Sequence, residues 1–333
     1  MTVKDISKIL LVRQDKIGDL VLITPAIQAL KEANPSIEIW VLASPYASPV
    51  LMHNPHVKGV IHWDNNTGET IDTLKEKGFD AAVLFFPTLK VSWAVFRAGI
   101  PTRIGGVLRP YWFLFTHLVP MHRSRHEKRE WEYNLDVLAP LGSFNKHRPR
   151  LYLSETEKAW ARQWWGKKSR GKGLVGLYLG GGKEIRWPAK SFVELGNLLE
   201  QHGFRALFLW GKGEEPLAET ARAAGFTVAP PTTVRELASL LALCDAVVTN
   251  NTGPMHMAAA LNRPLVQIFD PRHACSPRRW GHQGKGRRIL MPPVPPCKRC
   301  STNCIHYNCM EMLTPQQVFT AVREVVSEAH EER

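Results

Sequence analysis

The sequence contains no uncharged apolar run approaching the ~18 residues needed to cross a bilayer; residues 81–89 and 111–121 are among the longest. Residues 1–8 lack the apolar stretch of a secretory signal, so a soluble, cytoplasmic protein is expected. Acidic residues are scarce in two places. Residues 271–300 hold eight Lys/Arg and no acid, and residues 97–150 hold ten Lys/Arg against four acids. These two segments carry +8 and +6, slightly more than the whole net charge of +13, and the remainder sums to −1. Zinc-finger and helix-turn-helix signatures are missing, and neither basic segment interleaves aromatics with glycines as RNA-binding strands do. Nucleic acid is therefore not an expected partner. A phosphorylated or carboxylated substrate or an acidic membrane surface remains, beside the plainer reading of a solubilising face.

The 333 residues are enough for about two domains. A composition of 44% hydrophobic and 22% charged residues excludes disorder, coiled coil and collagen-like structure. Short apolar runs at 9–12, 37–42, 60–63 and 81–86 read as strands. Helical spacing fills 20–33, 70–77 and 91–98 between and after them. The alternation lapses over 144–153, a candidate linker rich in Lys, His, Arg and Pro. It resumes with strands at 174–179, 206–210, 246–249 and 265–269, and helices at 192–202, 217–224, 234–243 and 255–261. A Pro/Arg/Cys-rich stretch follows, then a helix over 315–330. Strand–helix–strand order predicts an α/β protein with two doubly wound, Rossmann-like halves, whose ligands sit at the carboxyl ends of the strands.

Four turns carry candidate chemistry. In Lys16-Ile17-Gly18-Asp19-Leu20 the carboxylate of Asp19 serves either as a general base or as a helix cap. Gly180-Gly181-Gly182, followed by Lys183 and Arg186, is neither a Walker loop nor Gly-x-Gly-x-x-Gly. It is either an anion cradle or a flexible surface turn. In Thr249-Asn250-Asn251-Thr252-Gly253-Pro254-Met255-His256, Pro254 is placed to open a helix whose first N–H groups attract phosphate. His256 there reads as a ligand contact or a buried histidine. In Glu214-Glu215, an acid after the second strand of a nucleotide-binding half suits ribose hydroxyls, and it equally suits a helix N-terminus. Trp112, Phe113, Leu114 and Phe115 suit either a membrane interface or the core. Cys297, Cys300, Cys304 and Cys309 are spaced C-x2-C-x3-C-x4-C. They read either as a metal ligand set or as a local structural or redox-sensitive cluster, while Cys244 and Cys275 stand apart.

Taken together and in order, these pieces resemble glycosyltransferase family 9, the lipopolysaccharide heptosyltransferases. The resemblance rests on KIGDLVLITPAIQALK (16–31), RWP (186–188) and NTGPMHMAAAL (251–261). TRIG (102–105) and CMEMLTPQQV (309–318) support it. It implies a GT-B fold, with two Rossmann-like domains facing across a cleft: an acceptor domain over 1–150, a nucleotide-sugar domain over 151–312, and a helix over 313–333 packing back on the first domain. It implies an inverting transfer of heptose from ADP-heptose, without cofactor or catalytic metal; no Asp-x-Asp motif occurs in the chain. Asp19 matches the base and Arg186 the diphosphate contact. Thr252, Gly253 and His256 match the donor loop, and Glu215 is the ribose carboxylate. The basic segment, with Arg103, Arg123, Arg125 and Lys128, is then expected to meet an anionic lipid-linked glycan at the cytoplasmic surface of the inner membrane. There are two departures. Ile185 replaces the usual lysine before Arg186-Trp187-Pro188, leaving Lys183 to substitute, and Asn251 stands where the family commonly has Asp. A rival reading is a non-catalytic nucleotide-binding protein on the same scaffold, and another is a transferase with a different donor or a protein acceptor.

Overall fold

Lys8–Val12 offers an apolar side chain at every position after Lys8, a pattern that can be buried on both faces only inside a parallel sheet. In the computed structural model, which describes residues 2–107, 110–166, 173–181, 185–298 and 303–331, this segment is β1, and parallel strands flank it on both sides. The first unit, Met1–Tyr152, continues with α1 (Ile17–Val21), α2 (Thr24–Ala33), β2 (Glu38–Ala43), β3 (Gly59–His62), α3 (Thr67–Lys77), β4 (Ala81–Leu84), α4 (Leu89–Arg97), β5 (Thr102–Gly106), β6 (His117–Val119) and α5 (Glu130–Asp136). Its strands run in the order β3-β2-β1-β4-β5-β6. The direction of winding reverses between β1 and β4, which places the turn after β1 at the switch point of the sheet.

The second unit, Leu153–Arg333, repeats the plan. It contains α6 (Glu155–Trp165), β7 (Leu174–Tyr178), α7 (Ala189–Gln201), β8 (Arg205–Leu209), α8 (Glu215–Ala223), β9 (Thr227–Val228), α9 (Val234–Leu243), β10 (Ala246–Asn250), α10 (Gly253–Ala260), β11 (Leu265–Ile268), α11 (Pro277–Trp280), β12 (Arg287–Leu290) and α12 (Pro315–His330). The order β12-β11-β10-β7-β8-β9 sets β7 and β10 side by side at its own switch point. The α/β class with two Rossmann-like units is as expected, and the division falls at residue 152 where 150 was expected.

Three local outcomes differ from the sequence reading. The single helix over 20–33 is broken into α1 and α2. Pro25, at the start of α2, fits a helix entry rather than a helix interior. The Leu22 carbonyl instead accepts a bond from the Asn134 side chain at 3.0 Å. β5 and β12 lie in stretches to which the sequence reading assigned no strand, because Arg103 and the glycines, and Arg287 with Arg288, break the apolar pattern. Gly105 is nevertheless required in β5, since a Cβ there would come within 2.4 Å of the Phe115 ring.

The expected placement of the terminal helix is corrected. Val318, Phe319, Val322 and Val325 of α12 are buried in the core of the second unit with Phe192, Leu195 and Leu199 of α7. Arg288 of β12 pairs with Glu324 and Glu328 along its flank. An apolar stripe at i, i+4 and i+7 seeks the largest uncovered apolar surface, and the sheet and α7 of its own unit supply it.

Candidate functional site

In the first unit β1 ends at Val12 and the next residue, Arg13, is a charged side chain only 2% exposed. Its guanidinium binds three carboxylates: Asp15 through Nε at 2.7 Å, Asp19 through Nη2, and Glu130 through Nη1 at 3.5 Å. Glu130 is fully buried at the start of α5 and also faces Arg123 Nε at 3.5 Å. Arg123 reaches on to the Phe85 carbonyl and the Asn134 side chain, both at 3.0 Å. Gln14 ties the same turn to the end of β4 by donating to the Phe86 carbonyl at 3.0 Å. The Asp19 carboxylate is therefore anchored through Oδ1 and only 14% exposed. Among the described residues no partner is recorded for Oδ2.

Burial alone would lower the Arg13 pKa. The charges of Asp19, Asp15 and Glu130 outweigh it, so the guanidinium is more firmly protonated than in water. Burial pushes the Asp15 carboxyl up and the charge of Asp19 adds to that, against the opposing pull of Arg13. Asp19 lies in the first turn of α1, but its side chain caps no N–H there. It is not the helix cap that was the alternative reading.

In the second unit three turns meet at the ends of β7, β8 and β10. Asn250, 4% exposed, links two of them: its Nδ2 donates to the Gly180 carbonyl at 2.9 Å and its Oδ1 accepts from the Trp187 N–H at 2.9 Å. Glu214 reaches in from the third, accepting from Gly211 N at 2.7 Å, Gly181 N at 3.2 Å and the Tyr178 hydroxyl at 3.1 Å. Gly180 leaves room for this clamp, since a Cβ there would lie 2.1 Å from the Glu214 oxygens and displace the carboxylate. The adjacent acids thus part company: Glu214 is a clamp on the glycine loop, and Glu215 stands exposed at the start of α8.

Trp187, fully buried, packs edge-on against Phe192 and donates its indole N–H to the Leu313 carbonyl at 2.8 Å. This fixes the backbone beside Arg186, which is half-buried and pairs with none of the described residues. Lys183 and Gly182 lie outside the described residues. Thr252 precedes α10, whose first residues are Gly253 and Pro254. The Asn251 N–H is engaged with the Ile268 carbonyl at 2.9 Å. His256 is buried on α10 with Nδ1 2.9 Å from His282 Nε2. His282 is held by Gln267, which accepts from its N–H at 2.8 Å and donates to its carbonyl at 2.7 Å.

The model of a known family, described as glycosyltransferase family 9 (heptosyltransferase), matches residues 68–310. The chain belongs to glycosyltransferase family 9. Lipopolysaccharide heptosyltransferase 2 of Escherichia coli K12 is 27% identical over 93% of this chain and 96% of its own. Lipooligosaccharide heptosyltransferase 2 of Haemophilus influenzae is 26% identical over 79% and 83% respectively. Among solved structures, E. coli ADP-heptose lipopolysaccharide heptosyltransferase II superposes with a TM-score of 0.82 at 23% identity, covering 98% of this chain and 100% of its own. E. coli heptosyltransferase WaaC with ADP-2-deoxy-2-fluoro heptose superposes with a TM-score of 0.74 at 19% identity, covering 95% and 99%. These superpositions give the fold class as GT-B, and family membership makes the chain a glycosyltransferase.

The four cations that the sequence reading expects to meet an acceptor are not equivalent. Arg103 donates to the Leu114 carbonyl at 2.7 Å and the Ile100 carbonyl at 2.5 Å, and lies 5.3 Å from the centre of the Phe96 ring. Arg123 belongs to the buried network around Glu130, and Lys128 pairs with Asp136 at 2.8 Å. Arg125 is exposed and pairs with none of the described residues. Of the four clustered cysteines, Cys300 lies outside the described residues and Cys309 is buried in the second core. Among the described residues no group of three His, Cys, Asp or Glu is placed to hold a metal ion. Sequence reading missed Arg13, Glu130, Asn134 and His282, and it placed Asn250 and Glu214 in candidate turns without the bracing roles they have. The one local signal was a charged residue directly ending an apolar strand, at Arg13.

Proposed function

We propose that this enzyme moves a heptose from ADP-heptose to a hydroxyl of the lipopolysaccharide inner core, with inversion and without a catalytic metal, at the cytoplasmic face of the inner membrane. The observation that carries the reading is the Asp19 carboxylate, anchored through one oxygen by Arg13 at the switch point of the first sheet. In this mechanism the acceptor oxygen attacks the anomeric carbon as the bond to the diphosphate oxygen breaks, and Asp19 Oδ2 takes the hydroxyl proton. ADP leaves with its added charge against Arg186 and the N–H groups at Thr252 and Gly253. Lys183 adds a second cation, Glu215 holds the ribose hydroxyls, and Asn251 and His256 contact the donor sugar and phosphates. Arg103, Arg123, Arg125 and Lys128 give the acceptor region its positive field, with Arg125 as the direct contact.

The carboxamide at Asn251 favours one second reading, a different ADP-sugar, since it removes a negative charge from the donor loop. A donor screen separates the two: ADP-heptose is expected to bind more tightly than ADP-, UDP- and GDP-hexoses. Transfer is expected to survive EDTA and give a product of inverted anomeric configuration by NMR. Preference for a hexose donor, or activity abolished by chelation, would overturn the corresponding part of the reading.

A further inference from the structure

The first unit carries an apolar surface that the transfer chemistry does not use. α4 buries Val91, Ala94 and Val95 in the core of its unit, while Leu89, Trp93 and Phe96 stand exposed on its outer side. The 3₁₀ turn Trp112–Leu114 packs alongside. Leu114 enters the same core, and the Tyr111 hydroxyl donates to the Pro87 carbonyl at 2.8 Å, just ahead of α4. Trp112 and Phe113 turn outwards, 55% and 62% exposed. Arg103 ties the two elements together, with its Nε on the Leu114 carbonyl and its guanidinium over the Phe96 ring. The alternatives left open for residues 112–115 are thus divided: Leu114 and Phe115 are core and their two predecessors are surface. Single exposed apolar residues are ordinary, whereas five on adjoining elements, two of them tryptophan, mark an interaction surface.

Charge narrows the partner. From residue 81 to residue 126 there are six Lys/Arg and no Asp or Glu. Lys90 and Arg97 are exposed on α4 itself, with the Arg97 guanidinium 5.8 Å from the centre of the Trp93 ring. A symmetric contact with a second copy through this face would bring these cations near their own counterparts, with no acid in the segment to pair with them. An anionic bilayer offers the opposite. Tryptophan and phenylalanine settle at the boundary of headgroups and acyl chains, and lysine and arginine meet the phosphates. We infer that the face formed by Leu89, Trp93, Phe96, Trp112 and Phe113, edged by Lys90 and Arg97, docks this enzyme on an anionic phospholipid surface. The purpose of the docking rests on the lipid-linked acceptor proposed above, but the surface itself does not depend on that proposal.

Flotation of the full chain with vesicles tests the inference. Partition onto phosphatidylcholine vesicles containing phosphatidylglycerol is expected to exceed partition onto phosphatidylcholine alone, and to fall at high salt. Trp112→Ser with Phe113→Ser should weaken it at least roughly tenfold, since two apolar rings are removed from the surface that enters the bilayer boundary. Lys90→Glu with Arg97→Glu should do the same on anionic vesicles only, because the two cations that meet the phosphates are reversed. All four positions lie outside the proposed donor and acceptor contacts, so ADP affinity and transfer to a lipid-free acceptor should be unchanged. Wild-type protein that stays with the solvent, or a Trp112/Phe113 variant that floats like wild type, overturns the inference. So does concentration-dependent self-association, abolished by the same pair, in a protein that ignores vesicles. Flotation without heptose transfer from any ADP-sugar instead refutes the proposed function and leaves the docking surface standing.

Discussion

The turn after β1 and the turns after β7 and β10 occupy the same place in the same fold and are built from opposite materials. After β1, charges crowd together: Arg13 holds Asp15, Asp19 and Glu130, and Glu130 also faces Arg123. After β7 and β10 the groups are mostly neutral. Glycine backbone, the Asn250 carboxamide and the Trp187 indole fix the loops, and Arg186 is left without a partner among the described residues. A saturated charge network orients one carboxylate and resists rearrangement, which suits proton transfer. A scaffold braced by backbone, carboxamide and indole, with Glu214 spent on the glycine loop and Arg186 unpaired among the described residues, suits an incoming anion.

The comparison can be broken most directly at Asp19. Asp19→Asn is expected to lower turnover by roughly 10²–10⁴-fold while ADP affinity is kept, because a positioned base contributes that much and belongs to the other unit from the donor loops. Turnover within a factor of a few of wild type would show the network to be structural only. Glu130→Leu is next: it takes from Arg13 and Arg123 the fully buried carboxylate that they share and should cost about 3–5 kcal/mol of stability. Calorimetry checks this, and an unchanged transition would mean that water or Asp15 compensates.

On the neutral side, Arg186→Ala should weaken ADP binding roughly 10–100-fold, the equivalent of one charge-assisted hydrogen bond. Isothermal titration measures it, and an unaltered Kd would remove Arg186 from the diphosphate site.

A smaller effect is read by pH. The Arg235 guanidinium, and then the Ser154 N–H, hold Glu157 down from 4.5 to about 2, against the effect of burial. A depressed carboxyl contributes stability that is complete above its unfolded value and is lost as pH falls through its folded value. The second unit should therefore lose on the order of 2 kcal/mol between about pH 4.5 and pH 2. Glu157→Gln should flatten that slope, and a slope identical to wild type would assign the loss to other groups. The smallest change separates the acceptor-side cations. Arg125→Glu should raise the acceptor KM a few-fold, with salt reproducing the effect, and Lys128→Glu should do less because Asp136 already engages that amine. Equal effects would mean that field, rather than contact, is what the acceptor senses.

The sheets were legible because their signal is local. Four apolar residues in a row at 9–12 or 81–84 read as buried strand wherever they occur. The turns were legible only as places. Asp19 and Arg186 stand in short motifs, but Glu130 lies 117 residues from Arg13, and Asn250 is 70 residues from Gly180. Polar residues acquire roles when folding brings their partners to them, and no spacing rule announces such pairs. Of two neighbouring acids, only the fold selects Glu214 as the clamp, because the glycine whose missing Cβ makes room for it is 34 positions earlier.

The bond from the Trp187 indole to the Leu313 carbonyl has a bearing on biosynthesis. Leu313 immediately precedes Thr314, whose hydroxyl accepts from the Gln317 N–H and starts α12. The backbone beside Arg186 is thus fastened to a segment synthesised more than a hundred residues later, and α12 closes the core beneath it. The first unit can complete its core while the ribosome is still translating the second. The second unit must instead wait, with β7, β8 and β10 uncovered, until α12 emerges. During that interval the nascent chain exposes Phe192, Leu195 and Leu199, the surface on which a holding chaperone would act.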